Sequence, residues 1–165
     1  MRKGQLYSSD ALLAITIFLF ALTMIALLSS QLEQQAVDQI LRFQSARRAE
    51  GVAQALFGSP GNPVYWDHLS DRNGITSVGL IENGMQISSS KWAALRDWNG
   101  DDYPSLKTAL RIPDVNFYIT LQDTNRQTLS QAGTAPVDVN QVNVIVIPTV
   151  YAGENVVAIL QVWGE

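Results

Sequence analysis

The first thirty residues constrain the chain most, because they contain a long stretch without charge and without helix breakers. Between Ala11 and Leu28 there is no charged residue, Gly or Pro, and the only hydroxyls are those of Thr16 and Thr23. About 18 residues of α-helix extend ~27 Å, close to the ~30 Å hydrocarbon thickness of a bilayer. The sequence therefore predicts a helix over residues 11–28 that can span a membrane.

The residues around this stretch indicate how it would be processed. A secretory signal has a small-residue cleavage site after its apolar run, and the segment Leu27 to Gln31 has no A-x-A-like site. The other position for a cut lies before the run, between Gly4 and Gln5, directly after the basic pair Arg2 and Lys3. Cleavage there would leave the whole apolar helix on the mature chain.

This order of basic residues, Gly, Gln, a few polar residues, one acidic residue and a long apolar helix resembles the class III signal peptide of archaeal type IV pilins and pilin-like proteins. The resemblance implies that a prepilin peptidase removes residues 1–4 on the cytoplasmic side, with Lys3, Gly4 and Gln5 as the processing site. It also implies that Asp10 takes the place of the acidic residue near the mature start, which is more usually Glu in the family.

The same resemblance assigns subunit assembly to Asp10 and to apolar residues of the helix, which pack together in the filament core. The apolar residues so assigned are Leu13, Ile17, Phe18 and Phe20. An unpaired carboxylate at the start of an apolar helix is costly, and the resemblance implies that Asp10 pairs with the new amino group of a neighbour's Gln5. The alternative is that Asp10 is a helix N-cap or first-turn acid at the membrane interface, satisfied by Ser8, Ser9 and backbone amides.

Charge and composition restrict the compartment and the classes of function. The positive-inside rule places Arg2 and Lys3 in the cytoplasm, so that the C-terminal bulk of the chain faces outward. The chain has 11 basic and 15 acidic residues, and the scattered basic residues argue against nucleic-acid binding. It has no cysteine, which excludes disulfides, thiolate metal sites and thiol catalysis. We expect a single-pass membrane protein that, by the resemblance, later joins an extracellular filament.

Beyond Ser30 the composition becomes polar while a helical repeat of apolar residues continues. The repeat has steps of three or four residues and consists of Leu32, Ala36, Ile40, Phe43, Ala46, Ala49, Ala53 and Leu56. The first strong stop is the run Gly58 to Pro63, so the sequence predicts one continuous helix over residues 5–58. We expect its stripe to pack on a globular head. The alternative is an anchor followed by a separate coiled-coil stalk.

Residues 59–165 are predicted to form this extracellular head, and its first half contains two short helices. The expected elements are helices at Lys91–Trp98 and Tyr103–Leu110, N-cap candidates at Ser88–Ser90 and Asp101–Asp102, and a turn at Asn99–Gly100.

The second half of the head is rich in β-forming residues. Alternation of apolar and polar residues predicts a half-buried strand over Val115–Gln122. Val142–Val150 and Val156–Trp163 are typical of a terminal antiparallel hairpin, in which Pro148 suits an edge or a bulge because it lacks an amide donor. The polar segment before this hairpin is expected to be a loop with one short strand near Thr128. The predicted fold is α+β, a long N-terminal helix packed on a small antiparallel sheet, as in type IV pilins.

A second resemblance to archaeal proteins with the class III leader runs through the head. Its elements are Gly58-x-Pro60-Gly61, Trp66, Gly79-Leu80, Ser88–Lys91, Tyr103, Leu106-Lys107, Leu110 and a closing Leu160-x-Val162-Trp163. Together the resemblances imply a structural subunit, major or minor, of a type IV pilus-like filament used for adhesion. The implied partners are other pilin subunits, prepilin peptidase, the assembly ATPase and its membrane platform.

No residue pattern predicts catalysis or a cofactor. His68 is the single histidine, and its neighbours form neither a nucleophile elbow nor a metal-ligand spacing. The metal candidate is the set Asp97, Asn99 and Asp101, which partly matches a calcium loop but lacks its Gly and its closing acid. The alternative there is a turn and a helix cap. The alternative function for the whole chain is an uncleaved single-pass membrane protein with an extracellular binding or accessory domain, and an enzyme ranks third.

Overall fold

The computed structural model describes residues 3–164, and it describes the backbone alone at residues 3–10, 33, 34, 36–38 and 41. Helix α1, Lys3–Phe57, is a single helix of 55 residues. This confirms the prediction of one continuous helix that ends at the breaker run. No Gly or Pro lies between Gln5 and Glu50, so no residue of this range interrupts the hydrogen bonding of the helix.

The chain divides into two compact units between Phe43 and Gln44. The second unit therefore includes the last turns of α1, whereas the sequence placed the boundary of the head at residue 58. The reason is burial: Ala49, Val52 and Leu56 belong to the hydrophobic core of the second unit.

The apolar stripe of α1 is only partly buried, which corrects the expectation that all of it packs on the head. Ala49 and Leu56 are buried and Ala53 is half-buried, but Leu32, Ile40 and Phe43 are exposed. The expected packing is thus confirmed for the C-terminal end of the stripe alone.

The two short helices of the head are present, with shifted bounds. They are α2, Ser89–Asp101, and α3, Tyr103–Ala109. The predicted turn at Asn99–Gly100 is wrong, because both residues lie in the last turn of α2. Burial of Leu95 and Trp98 holds this part of α2 against the core and overrides the weak helix propensity of Gly100. Asp102 caps α3, since its carboxylate accepts a hydrogen bond from the Ser105 amide at 3.1 Å.

Within residues 3–164, eight strands form two sheets. Their bounds are β1 Gly61–Asn62, β2 Ser77–Val78, β3 Ile81–Asn83, β4 Gln86–Ile87, β5 Val115–Gln122, β6 Thr128–Gly133, β7 Asn143–Tyr151 and β8 Glu154–Gly164. β1 pairs with β2, and the other strands form a six-stranded sheet in the order β3-β4-β7-β8-β5-β6. β4 runs parallel to β7, so this sheet is mixed, and the prediction of an antiparallel sheet is corrected in this respect.

The strongest strand predictions are confirmed. β5 covers the predicted residues, and its buried and half-buried side chains alternate along its whole length. β7 and β8 form the predicted hairpin around a two-residue turn, in which Ala152 and Gly153 both have positive φ angles of 52° and 84°. Positive φ at both central positions is typical of a type I′ turn, which matches the twist of the flanking strands. β6 is the predicted short strand near Thr128.

Candidate functional site

The apolar part of α1 is the first candidate region. Within the described residues, α1 is the one helix that is long and apolar enough to cross a membrane, over Ala11–Leu32. Every residue of this range is exposed. The assembly residues predicted from the resemblance share this property, with exposed fractions of 60–65% at Leu13, Ile17, Phe18 and Phe20. The helix therefore presents a large apolar surface on all sides, as a helix surrounded by lipid or by other apolar helices does.

Three hydroxyls within this range bond to carbonyls of the helix itself. The hydroxyl of Thr16 donates to the carbonyl of Leu12, and that of Thr23 donates to the carbonyl of Leu19, each at 2.8 Å. Ser30 donates to the carbonyl of Leu27 at 3.2 Å. A hydroxyl with an internal acceptor loses little when water is removed. These three bonds therefore suit an environment of lipid or of packed helices.

The predicted processing site and Asp10 lie at the N-terminal end of α1. The backbone of Lys3, Gly4, Gln5 and Asp10 is helical, but their side chains lie outside the part of the chain that the structure describes. Their roles in processing and assembly stay predictions, but the alternative of Asp10 as an N-cap or first-turn acid is wrong, because α1 begins at Lys3 and has no acidic residue in its first turn.

The second candidate region is the junction between the end of α1 and the head. A helix leaves its last carbonyls without partners inside the helix. Here the carbonyls of Gln54, Ala55 and Leu56 accept hydrogen bonds from the Gly58 amide, the Ser59 hydroxyl and the Leu80 amide, at 2.9, 2.9 and 2.7 Å. Leu80 follows β2, so the head itself completes the hydrogen bonding at the C-terminal end of α1.

Gly79 and Trp66 close this junction tightly. The indole of Trp66 donates to the carbonyl of Gly79 at 2.8 Å. A Cβ atom on Gly79 would lie 2.5 Å from the Gly61 amide nitrogen and still closer to the carbonyl oxygen of Ser59. The backbone segments after α1 and after β2 are therefore in direct contact, and a residue larger than Gly does not fit between them.

Lys91 is the buried charged residue of this region, and sequence reasoning missed its role. Only 4% of its surface is exposed, and its ammonium group donates to the carbonyls of Pro60 and Ile81 at 2.7 and 3.3 Å. The ion pairs of the described residues do not include it. Lys91 thus connects α2 to the chain that leaves α1. Its position before Trp92, on the face that also buries Leu95 and Trp98, was the available signal.

The residues that suggested the second resemblance come together in part. Trp66, Gly79, Leu80 and Lys91 all lie at the helix–head junction. Tyr103 lies apart from it, where its hydroxyl accepts a hydrogen bond from the Phe117 amide at 3.0 Å and so joins α3 to β5. The remaining apolar members are all buried: they are Leu106, Leu110, Leu160, Val162 and Trp163.

The metal candidate lies on helix α2 and not in a loop. Successive residues of an α-helix are rotated by about 100°, so that Asn99 faces away from Asp97 and Asp101. Asp101 instead accepts a hydrogen bond from the Arg72 guanidinium at 2.9 Å and forms an ion pair with it. Among the residues that the structure describes, no group of three His, Asp or Glu side chains is placed to hold a metal ion.

His68 lies on the surface next to a largely buried carboxylate. Its Nε2 atom is 3.6 Å from Asp67, and its side chain is 70% exposed against 3% for Asp67. Asp67 and Asp97 line a cleft of about 150 Å³ beside Trp66 and Trp98. Among the described residues, no Ser, Thr or Lys side chain lines this cleft, which brings together two carboxylates, Arg72 and two indole rings.

Fold and site define an α+β protein with an N-terminal helix long and apolar enough to span a membrane. Comparisons with protein-family models, with curated proteins and with solved structures gave no match.

Proposed function

We propose that the chain is a structural subunit of an archaeal type IV pilus-like surface filament. It is inserted in the membrane by its N-terminal helix, trimmed by prepilin peptidase and assembled through the same helix into an extracellular filament for adhesion. The observation that supports this most is the composition of α1. One helix has an exposed apolar stretch at Ala11–Leu32 and a C-terminal end that belongs to the core of a folded head.

An apolar helix of this kind can exchange a lipid environment for one of packed helices. Lipid tails and apolar side chains solvate a Leu or Phe side chain about equally, so that moving a helix from lipid into a helical bundle changes its apolar solvation little. Packing and polar pairing then decide where it resides. Ala11–Leu32 has bulky apolar side chains on every side and internally satisfied hydroxyls, which suits both environments.

The charge at the start of α1 provides the polar pairing in this proposal. Cleavage after Gly4 creates an ammonium group on Gln5, and Asp10 supplies a carboxylate five residues later in the chain. In a filament these two charges from neighbouring subunits offset each other's desolvation and fix the axial register of the helices.

The decisive measurement is the N-terminus of the mature protein. We expect mass spectrometry of the membrane-inserted chain, coexpressed with an active prepilin peptidase, to show a chain that begins at Gln5. The same chain in a host without the peptidase should begin at Met1. The variant Gly4→Val is expected to insert normally and to stay uncleaved, since a β-branched side chain replaces the smallest residue at the cleavage position.

A chain that keeps Met1 in the presence of active peptidase would contradict the proposal. That outcome, with normal membrane insertion and an accessible head, would favour the uncleaved single-pass protein with a binding domain. Electron microscopy of surface filaments labelled with an antibody against the head then tests assembly directly, and the Gly4→Val variant serves as the assembly-deficient control.

A further inference from the structure

Strand β7 has an open edge along most of its length. On one side it pairs with β8 from Asn143 to Tyr151, but on the other side β4 covers only Val150 and Tyr151. Among the described residues, no strand or loop backbone pairs with the outer edge of β7 from Asn143 to Pro148. This edge consequently exposes backbone donors and acceptors, which is the usual template for adding another strand.

The hydrogen-bonding pattern determines which residues face outward. In an antiparallel pair, alternate residues bond to the partner strand and the residues between them point away from it. The amide of Val150 bonds to Met85 on the outer side, so that Val144, Val146 and Pro148 have the same outward orientation. Pro148 has no amide hydrogen, which leaves Val144 and Val146 as the residues that can both donate and accept at this edge.

Apart from Pro148, which blocks its own position, this edge lacks the usual protection against pairing. Natural edge strands are commonly blocked by charged residues, most often Lys, whereas no charged residue occurs from Val139 to Gly153. Val144 and Val146 are 54% and 61% exposed. Next to them on the same face, Ile159 of β8 lies opposite Val146 and is only half-buried. The two exposed valines and Ile159 therefore form a small apolar patch beside the open edge.

We infer that the β7 edge docks a second copy of this chain, strand to strand and antiparallel, about a two-fold axis. In the register that we assign, Val144 lies opposite Val146 of the second copy, and Ile145 lies opposite its own equivalent. Both outward-facing valines then exchange two hydrogen bonds with their partners, and Pro148 falls outside this set. A self-pairing strand needs a surface that is complementary to itself, and an uncharged, apolar strand meets this need without repulsion.

This contact is independent of the apolar helix and of processing. A two-fold contact is closed, whereas the contacts that propagate a helical filament are head-to-tail. The β7 contact therefore joins two heads in addition to the head-to-tail contacts that build a filament. In assembled material it would link one filament to another, and in detergent it would give a dimer of the unassembled protein.

Disulfide trapping tests the assigned register, because the natural chain contains no cysteine. We expect the full-length double variant Val144→Cys/Val146→Cys, in detergent under mild oxidation, to form a disulfide-linked dimer. Its facing Cα atoms would be about 5.5 Å apart, within the range of disulfides. In each single variant the nearest cysteines would be about 8–9 Å apart, too far for direct bridging. We therefore expect several-fold less dimer from the single variants.

The control is Leu129→Cys/Gln131→Cys, two exposed positions with the same sequence spacing on β6, an end strand of the same sheet. We expect it to stay monomeric. Any dimer that it does form measures the cross-linking of two chains that merely share one detergent micelle. Equal cross-linking in the control or in the single variants would overturn the inference, and so would a monomeric β7 double variant. Since both substituted valines are exposed, the fold can be verified by circular dichroism before oxidation.

Discussion

Replacing Gly79 with Ala tests whether the helix–head junction stabilises the head. The new Cβ atom would lie 2.5 Å from the Gly61 amide nitrogen and closer still to Ser59 O, and both are backbone atoms that cannot rotate away. Relief requires the segments after α1 and after β2 to separate. Overpacking of this kind costs about 1–3 kcal/mol. Separation also weakens the bonds of Trp66 to Gly79 and of Leu80 to Leu56, at about 1 kcal/mol each.

We therefore expect Gly79→Ala to lower the free energy of unfolding by roughly 3–5 kcal/mol. The assay is denaturant unfolding of the full chain in detergent, followed by tryptophan fluorescence. All four tryptophans, Trp66, Trp92, Trp98 and Trp163, are in the head, so this signal reports on the head and not on the apolar helix.

Gly74→Ala is the matched control, because nothing lies within 4 Å of a Cβ atom built there. We expect its free energy of unfolding to stay within about 0.5 kcal/mol of the unsubstituted chain, as is usual for surface changes. Equal stability of the two variants would show that the segments at the junction do not make the close contact on which the estimate depends.

Three further predictions concern the N-cap of α3, the turn of the β7–β8 hairpin and the carboxylate of Asp10. Asp102→Ala removes the N-cap of α3 and should destabilise the head by about 1 kcal/mol in the same fluorescence assay. Ala152→Asn should raise the midpoint of unfolding, by about 0.5–1 kcal/mol in stability, because Asn tolerates the positive φ of the β7–β8 turn better than Ala; a lower midpoint would contradict this. If Asp10 pairs with a neighbouring subunit, Asp10→Ala abolishes filaments seen by electron microscopy and Asp10→Glu restores them, whereas full assembly of the alanine variant would contradict the pairing.

The elements that could be predicted from the sequence are those in which the repeat of apolar residues continues without a break. Helix α1 has no breaker before its end, and β5 alternates strictly over eight residues, so each has one secondary structure that accounts for its whole pattern. The β7–β8 hairpin was predictable because two β-rich runs flank a short segment that contains Gly153.

The features that the sequence did not predict depend on tertiary contacts. β4 has only two residues, and its parallel pairing with β7 joins segments about 64 residues apart, which no local period encodes. The helical state of Gly100 depends on burial of Trp98 against the core. The role of Lys91 depends on two carbonyls that approach it only in the folded head. Long separations in sequence make such contacts invisible to reasoning from periodicity alone.

The junction also explains why the head includes the last turns of α1. A head that began at Ser59 would lose the core side chains of Ala49, Val52 and Leu56 together with the carbonyl that the Leu80 amide needs. Burying a Leu or Val side chain contributes about 1.5–3 kcal/mol, which is a large part of the marginal stability of a small domain. The end of α1 is thus structural for the head, while the exposed Ala11–Leu32 range contributes nothing to that core and stays available for lipid or for other helices.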